Sequence, residues 1–218
     1  MIVDERYAAY VNSLDSGNTP LLDEIEQKAL AEKIPVVRKE TQSFLKWLLA
    51  VKRPERILEV GTAVGFSALL MAEYDPVRCR ILTIENDERK ILEARGNIRF
   101  AGREEQIEVL EGDAADILRQ LEEPFGLIFM DAAKGQYLNF MDDAVRLLEP
   151  GGILVSDNVL QDGDIIESRY AVRRRDRTIH KRMREYLYRL THSRELCTSV
   201  LTIGDGVAVS VRMETEEE

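Results

Sequence analysis

Five short segments hold residues whose types and spacing suit chemistry. The first is Glu59-Val60-Gly61-Thr62-Ala63-Val64-Gly65-Phe66-Ser67, an apolar run passing into the start of a helix. Glycines let the backbone turn tightly and approach a ligand, and the N–H groups of a helix start suit polar or anionic groups. A dinucleotide-binding loop wants glycine at the first, third and sixth places of such a turn. Those places hold Gly61, Ala63 and Phe66. Phe66 would obstruct the close helix–strand packing that the last glycine permits, so the loop suits a nucleoside that brings no pyrophosphate. The plain alternative is an ordinary strand-to-helix turn. Glu85 follows Gly61 by 24 positions and ends the next apolar run. A carboxylate there can accept hydrogen bonds from both hydroxyls of a ribose, although alone it could equally be a helix-capping acid. Asp113-Ala114 closes the third run.

The fourth and fifth segments are more specific. Met130-Asp131-Ala132-Ala133-Lys134-Gly135-Gln136-Tyr137 ends one apolar run, and Ser156-Asp157-Asn158-Val159-Leu160 ends the next. Asp131, Asp157 and Asn158 offer only oxygen ligands, which suits a hard cation such as Mg2+ that retains positions for water or substrate. Any one of them could be a turn-forming residue. Three at adjacent strand ends beside a nucleoside crevice fit that plain role poorly.

The elements that must position these residues follow from periodicity. Residues 1–52 read as a helical segment, with Tyr7, Val11 and Leu14 at helical spacing. Thr19 can cap a second helix with Pro20 at its first position, ending near Ile34 before Pro35. A third helix puts Phe44, Leu45, Leu48 and Leu49 on one face. Short apolar runs then follow: Ile57–Val60, Cys79–Ile84, Ile107–Leu110, Leu127–Met130 and Ile153–Ser156. They alternate with amphipathic stretches about 65–74, 87–100, 114–121 and 136–148, which means a parallel sheet with helices on both faces. A helix about 177–191 leads to Leu196–Ile203 and Val207–Val211, joined by Gly204-Asp205-Gly206, a turn suited to an antiparallel hairpin. The expected fold is α/β, a Rossmann-like doubly wound sheet of mostly parallel strands with a C-terminal antiparallel hairpin and N-terminal helices. Ligands in such sheets bind outside the C-terminal strand ends, where Gly61, Glu85 and Asp113 would line one crevice.

Composition bounds the rest. A chain of 218 residues with 44% hydrophobic residues fits one domain over 1–218 and is too apolar for disorder. No apolar run approaches the roughly 20 residues of a membrane helix, and the start, Met1-Ile2-Val3-Asp4-Glu5-Arg6, has no secretion-signal pattern. A cytoplasmic protein is expected, with Cys79 and Cys197 as buried thiols rather than a disulfide or zinc site. The acidic tail Glu214–Glu218 is expected to fray. The net charge of -10 argues against a protein that coats nucleic acid through its whole surface. Yet Arg169–Arg189 holds nine Lys/Arg and two acids, a net of +7 that leaves -17 on the remainder.

Ile57–Leu69, Ile81–Glu85, Glu111-Gly112-Asp113-Ala114, Phe129–Tyr137 and Leu154–Leu160 together resemble the successive motifs of the cation-dependent O-methyltransferases related to catechol and caffeoyl-CoA methyltransferases. Lys39-Glu40-Thr41-Gln42-Ser43-Phe44-Leu45 resembles that family's stretch ahead of the first strand. The resemblance implies S-adenosylmethionine as cofactor, contacted by Val37, Glu59, Gly61, Ser67, Glu85 and Ala114, with Thr62, Gly65, Asp113 and Asp131 in the same site. It implies a divalent metal on Asp131, Asp157 and Asn158. Lys134 then stands beside the reacting oxygen as a catalytic residue with Asp131. A lysine in a partly desolvated site could take the acceptor's proton, and holding both reactants in line supplies much of the rate. Lys134 as a plain surface lysine is the alternative. Relatives also suggest a homodimer through the N-terminal helices.

A metal held this way wants two neighbouring oxygens on the acceptor. Catechols supply them, as does a uridine hydroxylated at C5. Arg173, Arg174 and Arg175 lie in a basic insertion loop over 160–178. Arg175, Arg182 and Arg189 recur every seven residues, one stripe opposite an expected buried stripe of Ile179, Met183, Leu187 and Leu190. Most such charge runs are solvated faces, but a phosphate-bearing substrate would explain its charge and its place. The segment from Asp157 through Arg173-Arg174-Arg175 to Met183 is most similar to the bacterial tRNA 5-hydroxyuridine methyltransferases of the family. The expected acceptor is therefore a tRNA anticodon loop, gripped by Arg173, Arg174, Arg175 and Arg182. The alternative acceptor is a small catechol or acyl-CoA ester.

Overall fold

The computed structural model describes residues 3–214, so Thr215–Glu218 of the acidic tail lie outside it. The N-terminal segment forms three helices, α1 (Glu5–Ser13), α2 (Pro20–Ala31) and α3 (Lys39–Lys52). Thr19 precedes α2 with Pro20 at its first position, but the Thr19 hydroxyl makes no cap bond. Helix α2 stops three residues before Ile34, where Lys33 turns left-handed (φ 58°). Strands and helices then alternate: β1 (Arg56–Val60), α4 (Phe66–Tyr74), β2 (Arg80–Glu85), α5 (Glu88–Phe100), β3 (Ile107–Glu111), α6 (Ala114–Gln120), β4 (Phe125–Met130), α7 (Tyr137–Leu147) and β5 (Leu148–Ser156). Helix α8 (Arg177–His192) precedes the hairpin of β6 (Leu196–Leu201) and β7 (Val207–Arg212).

The seven strands lie in the order β3-β2-β1-β4-β5-β7-β6. Strands β1 to β5 pair in parallel, and β7 runs antiparallel to both β5 and β6. The order reverses between β1 and β4, so the crevice opens at their C-terminal ends. Strand β4 is buried along its whole length because it sits mid-sheet. Its Leu127 and Phe129 join one core with α2, α3 and α4, while Ile128 and Met130 join a second core with α6, α7 and α8. The period of two along a strand sends alternate side chains to the two faces. The Rossmann-like fold expected from the sequence is therefore present, including the reversed hairpin. Strand β5 begins earlier than expected. Leu148 pairs with Phe125 before a register shift, so Pro150-Gly151-Gly152 lies within the strand and not in a turn before it.

One expectation on packing fails. Cys79 is buried, but Cys197 is exposed, because β6 is the sheet edge and residue 197 sits on its outward side. Tyr7, Tyr10, Val11 and Leu14 are all more than half exposed. Helix α1 buries none of its residues and reaches α3 through a polar contact, Asn12 Nδ2 donating to Glu40 Oε1 at 2.9 Å. No described helix is long and apolar enough to cross a membrane.

Candidate active site

A crevice of about 740 Å3 lies along the C-terminal ends of β1 to β4. Its walls include Val37, Gly61, Thr62, Ser67, Glu85, Asp113, Ala114, Asp131, Lys134 and Asn158. Most of the expected donor residues are thus brought to one place, by a local cause in each case. Gly61 has φ 109°, and a Cβ there would stand 2.2 Å from the Asp131 carbonyl oxygen, so only glycine lets β1 and β4 end side by side. Gly65 caps the start of α4 in the left-handed region (φ 81°), packed on Ala94 and behind the crevice surface. Ala63 N–H donates to Glu85 Oε2 at 3.0 Å, and Asn86 and Asp87 N–H donate to Oε1 at 3.0 and 3.1 Å. Glu85 therefore shapes the loop as well as facing the cavity. Asp113 caps α6 by accepting from Ala115 N–H at 2.8 Å.

Glu59 is fully buried and lies behind the crevice wall. The Thr83 hydroxyl donates to its Oε2, and its Oε1 has no partner among the described residues. Burial pushes this carboxyl up to about 8, and the Asp131 and Glu85 charges add to the shift while the Ser67 and Thr83 hydroxyls oppose it.

The three metal-type residues stand at two adjacent strand ends, with Asp131 and Asn158 lining the crevice and Asp157 buried behind them. Asp131 follows β4, Asp157 and Asn158 follow β5, and Asp157 N–H donates to Met130 C=O at 3.0 Å. The fully buried Tyr137 clamps both strand ends, its hydroxyl donating toward Met130 C=O (3.1 Å) and Asp157 C=O (3.0 Å). Burial raises the Asp131 carboxyl to about 6, opposed by Lys134. Asp157 rises to about 7, through burial first and repulsion from Asp131 second. Asp157 Oδ1 accepts from Asn158 N–H at 2.8 Å, while its buried Oδ2 has no partner among the described residues. Asn158 is left-handed (φ 57°). A divalent cation fits this set. Two crowded carboxylates, one with an orphaned oxygen, and an amide supply hard oxygen donors, and Lys134 only partly offsets the carboxylates' mutual repulsion. Among the described residues no group of three His, Cys, Asp or Glu could hold a metal, so the Asn158 amide is needed to complete the set.

One residue escaped the sequence reading. Asp205, in the turn of the hairpin, is 1% exposed and lines the crevice. Its Oδ2 lies 3.4 Å from Lys134 Nζ, and its Oδ1 accepts from Asp162 N–H. A Gly-Asp-Gly turn reads as hairpin chemistry, and only tertiary packing places it against Lys134. The Arg38 side chain also crosses the mouth to Asp162 Oδ1 at 2.8 Å.

The basic residues do not converge on the crevice. Arg173, Arg174 and Arg175 lie exposed in the segment before α8, so Arg175 is not part of a helical stripe. Arg182 Nη2 donates to Asn139 Oδ1 at 2.5 Å and Arg189 pairs with Asp142 at 2.6 Å, so both are tied to α7. The buried face of α8 is His180, Met183, Tyr186 and Leu190, with Ile179 and Leu187 only half-buried.

Comparison with known proteins gives the family. The chain belongs to the O-methyltransferase family, whose model matches residues 12–213. It is an S-adenosylmethionine-dependent O-methyltransferase by family. A catechol O-methyltransferase of Niastella koreensis is 34% identical over 168 residues, 75% of this chain and 70% of that protein. One from Mycobacterium tuberculosis is 32% identical over 161 residues, 72% of this chain and 73% of its own. The structure of an O-methyltransferase from Bacillus cereus in complex with SAH superposes with a TM-score of 0.82 at 27% identity, covering 94% of this chain and 96% of the other.

Proposed function

We propose that this protein transfers a methyl group from S-adenosylmethionine, bound between Val37, Gly61, Glu85 and Ala114, to a hydroxyl oxygen of a small catechol-like acceptor, with a divalent cation on Asp131, Asp157 and Asn158. The observation that carries the reading is the buried Asp157 Oδ2, without a partner among the described residues, next to Asn158 and electrostatically coupled to Asp131, both of which line the crevice. The names of the relatives favour a small acceptor over a nucleic acid. When bound, the cation supplies Lewis acidity that lowers the pKa of an acceptor hydroxyl.

The chain's own residues do the rest. The loop 61–67 and Glu85 orient the donor, and Lys134 stands where it can receive the hydroxyl proton or stabilise the oxyanion. The oxyanion then attacks the methyl carbon, a C–O bond forms as the C–S bond breaks, and the donor leaves as a neutral sulfide. Asp205 fixes Lys134 in the crevice wall.

A tRNA acceptor carrying 5-hydroxyuridine is the second reading, supported by the exposed Arg173, Arg174 and Arg175 in a chain that is otherwise acidic. Incubation with labelled donor and Mg2+, against a catechol panel or bulk tRNA, tests both. Label in catechols alone supports the first reading, and label in tRNA alone replaces it with the second. A homodimer is part of the proposal, because Tyr7, Tyr10, Val11, Trp47 and Val51 leave an exposed apolar surface on α1 and α3 that a second copy would cover. A monomeric mass by light scattering would remove it.

A further inference from the structure

The side chains of the Lys39-Glu40-Thr41-Gln42 run at the start of α3 reach α1, α2 and the end of β5. Glu40 meets α1 through Asn12, and the Thr41 hydroxyl stands 3.5 Å from Asp157 Oδ1. Lys39 Nζ pairs with Glu26 Oε2 at 2.5 Å. Gln42, only 1% exposed, has the richest set of partners. Its Nε2 donates to Glu26 Oε1 at 2.8 Å and to the Val37 carbonyl at 2.8 Å, while its Oε1 accepts from Asn18 Nδ2 at 2.8 Å. Glu26 belongs to α2 and is itself buried, so this is a closed network in which Glu26 fixes the Gln42 amide and Gln42 fixes a carbonyl.

That carbonyl belongs to the stretch Pro35–Arg38, which forms one wall of the crevice opposite the loop after β1. The stretch has no regular secondary structure. Among the described residues, the bond from Gln42 is the one hydrogen bond made by the backbone of residues 35–37. The Arg38 carbonyl accepts from Gln42 N–H at 2.9 Å and anchors the far end of the stretch, so cutting the Val37 bond leaves the backbone of residues 35–37 without a polar tether, and donor binding must then order it again.

We propose that Gln42, held by Glu26, is a positioning residue for the methyl donor: it acts through the Val37 carbonyl and touches no reactant. The inference rests on the donor occupying this crevice. A buried charge on α2, a helix outside the crevice, thereby sets donor affinity.

Calorimetry with S-adenosylhomocysteine tests it. Gln42→Met, similar in length but without N–H groups, should weaken binding roughly tenfold, the scale of a lost buried hydrogen bond. Glu26→Met should weaken it by about threefold through the loosened amide, and Glu26→Gln, which keeps an oxygen for Gln42, should restore affinity to within about twofold. Ile25→Ala, next to Glu26 but in the apolar core, should lower Tm and leave the affinity unchanged. Equal affinity in Gln42→Met and wild type overturns the proposal. So does a loss in Ile25→Ala matching that in the network variants, which would mean general softening. If Gln42→Met does not fold, the three Glu26 and Ile25 variants decide the matter alone. Failure of the wild-type protein to bind S-adenosylhomocysteine would instead overturn the donor site itself.

Discussion

The two halves of the crevice are built on opposite principles. On the donor side, the carboxylates at the crevice surface are already paired: Glu85 accepts three backbone N–H bonds, and Asp113 caps its helix. On the metal side, pairing is left incomplete. Asp131 and Asp157 repel each other, and Asp157 Oδ2 has no partner among the described residues. A paired half is preorganised for a ligand that brings hydrogen-bond donors. An unpaired half stores electrostatic cost until a cation arrives. The difference teaches where to expect large responses to substitution, on the side whose groups have no protein partner to fall back on.

The largest response should come from the unpaired side. Asp157→Ala, or chelation of divalent ions, is expected to cut turnover by roughly a thousandfold with the fold intact, the scale of lost Lewis-acid stabilisation. Circular dichroism alongside a labelled-donor assay checks it, and full activity in excess chelator would break the contrast.

Glu59 sits behind both halves and sharpens the contrast through stability. Its folded-state pKa is raised to about 8 from 4.5, so folding favours its protonated form. The stability this confers is present at low pH and is lost as pH rises toward 8. From pH 5 to 8, with no donor or metal, wild type should lose about 3 kcal/mol from this group, and Glu59→Gln should lose correspondingly less. Parallel stability–pH curves for the two proteins, by urea unfolding, would show Glu59 ionised in the fold.

The paired side should respond more mildly to single changes. Glu85→Ala is expected to weaken donor binding by about 1–3 kcal/mol, partly through loss of the Ala63 bond that holds the loop. Calorimetry reads this directly, and unchanged affinity would place Glu85 outside the donor site. The smallest effect belongs to the surface. Joint replacement of Arg173, Arg174 and Arg175 by alanine should alter catechol turnover by less than about twofold, since a neutral acceptor has no phosphate for them to meet. A large drop would break this ranking, and a flattened salt dependence of tRNA binding in the same variant would favour the second reading.

The sheet was legible because buried strands carry continuous apolar runs and their ends carry the polar residues. Gly61, Glu85, Asp131, Asp157 and Asn158 were readable for that reason. Asp205 was not, since its contact with Lys134 spans 71 residues and a hairpin turn explains its type locally. The partner of Arg182 was hidden for a related reason. The spacing of Arg182 places it on a face, but the Asn139 that occupies its guanidinium lies 43 residues away on α7. Periodicity reports which face a side chain shares, and the partner across that face comes only from tertiary packing.

The close seat of Gly61 against the Asp131 main chain has a thermodynamic consequence. A backbone pair with no room for a methyl group between them moves as one piece. A ligand that settles the loop after β1 therefore settles the end of β4, and the reverse holds. Binding of the donor and of the cation should be reciprocally coupled, each raising the other's affinity by the same factor. Donor titrations with and without Mg2+, matched by Mg2+ titrations with and without donor, would measure one coupling constant twice, and a value of one would show that the two sites do not communicate.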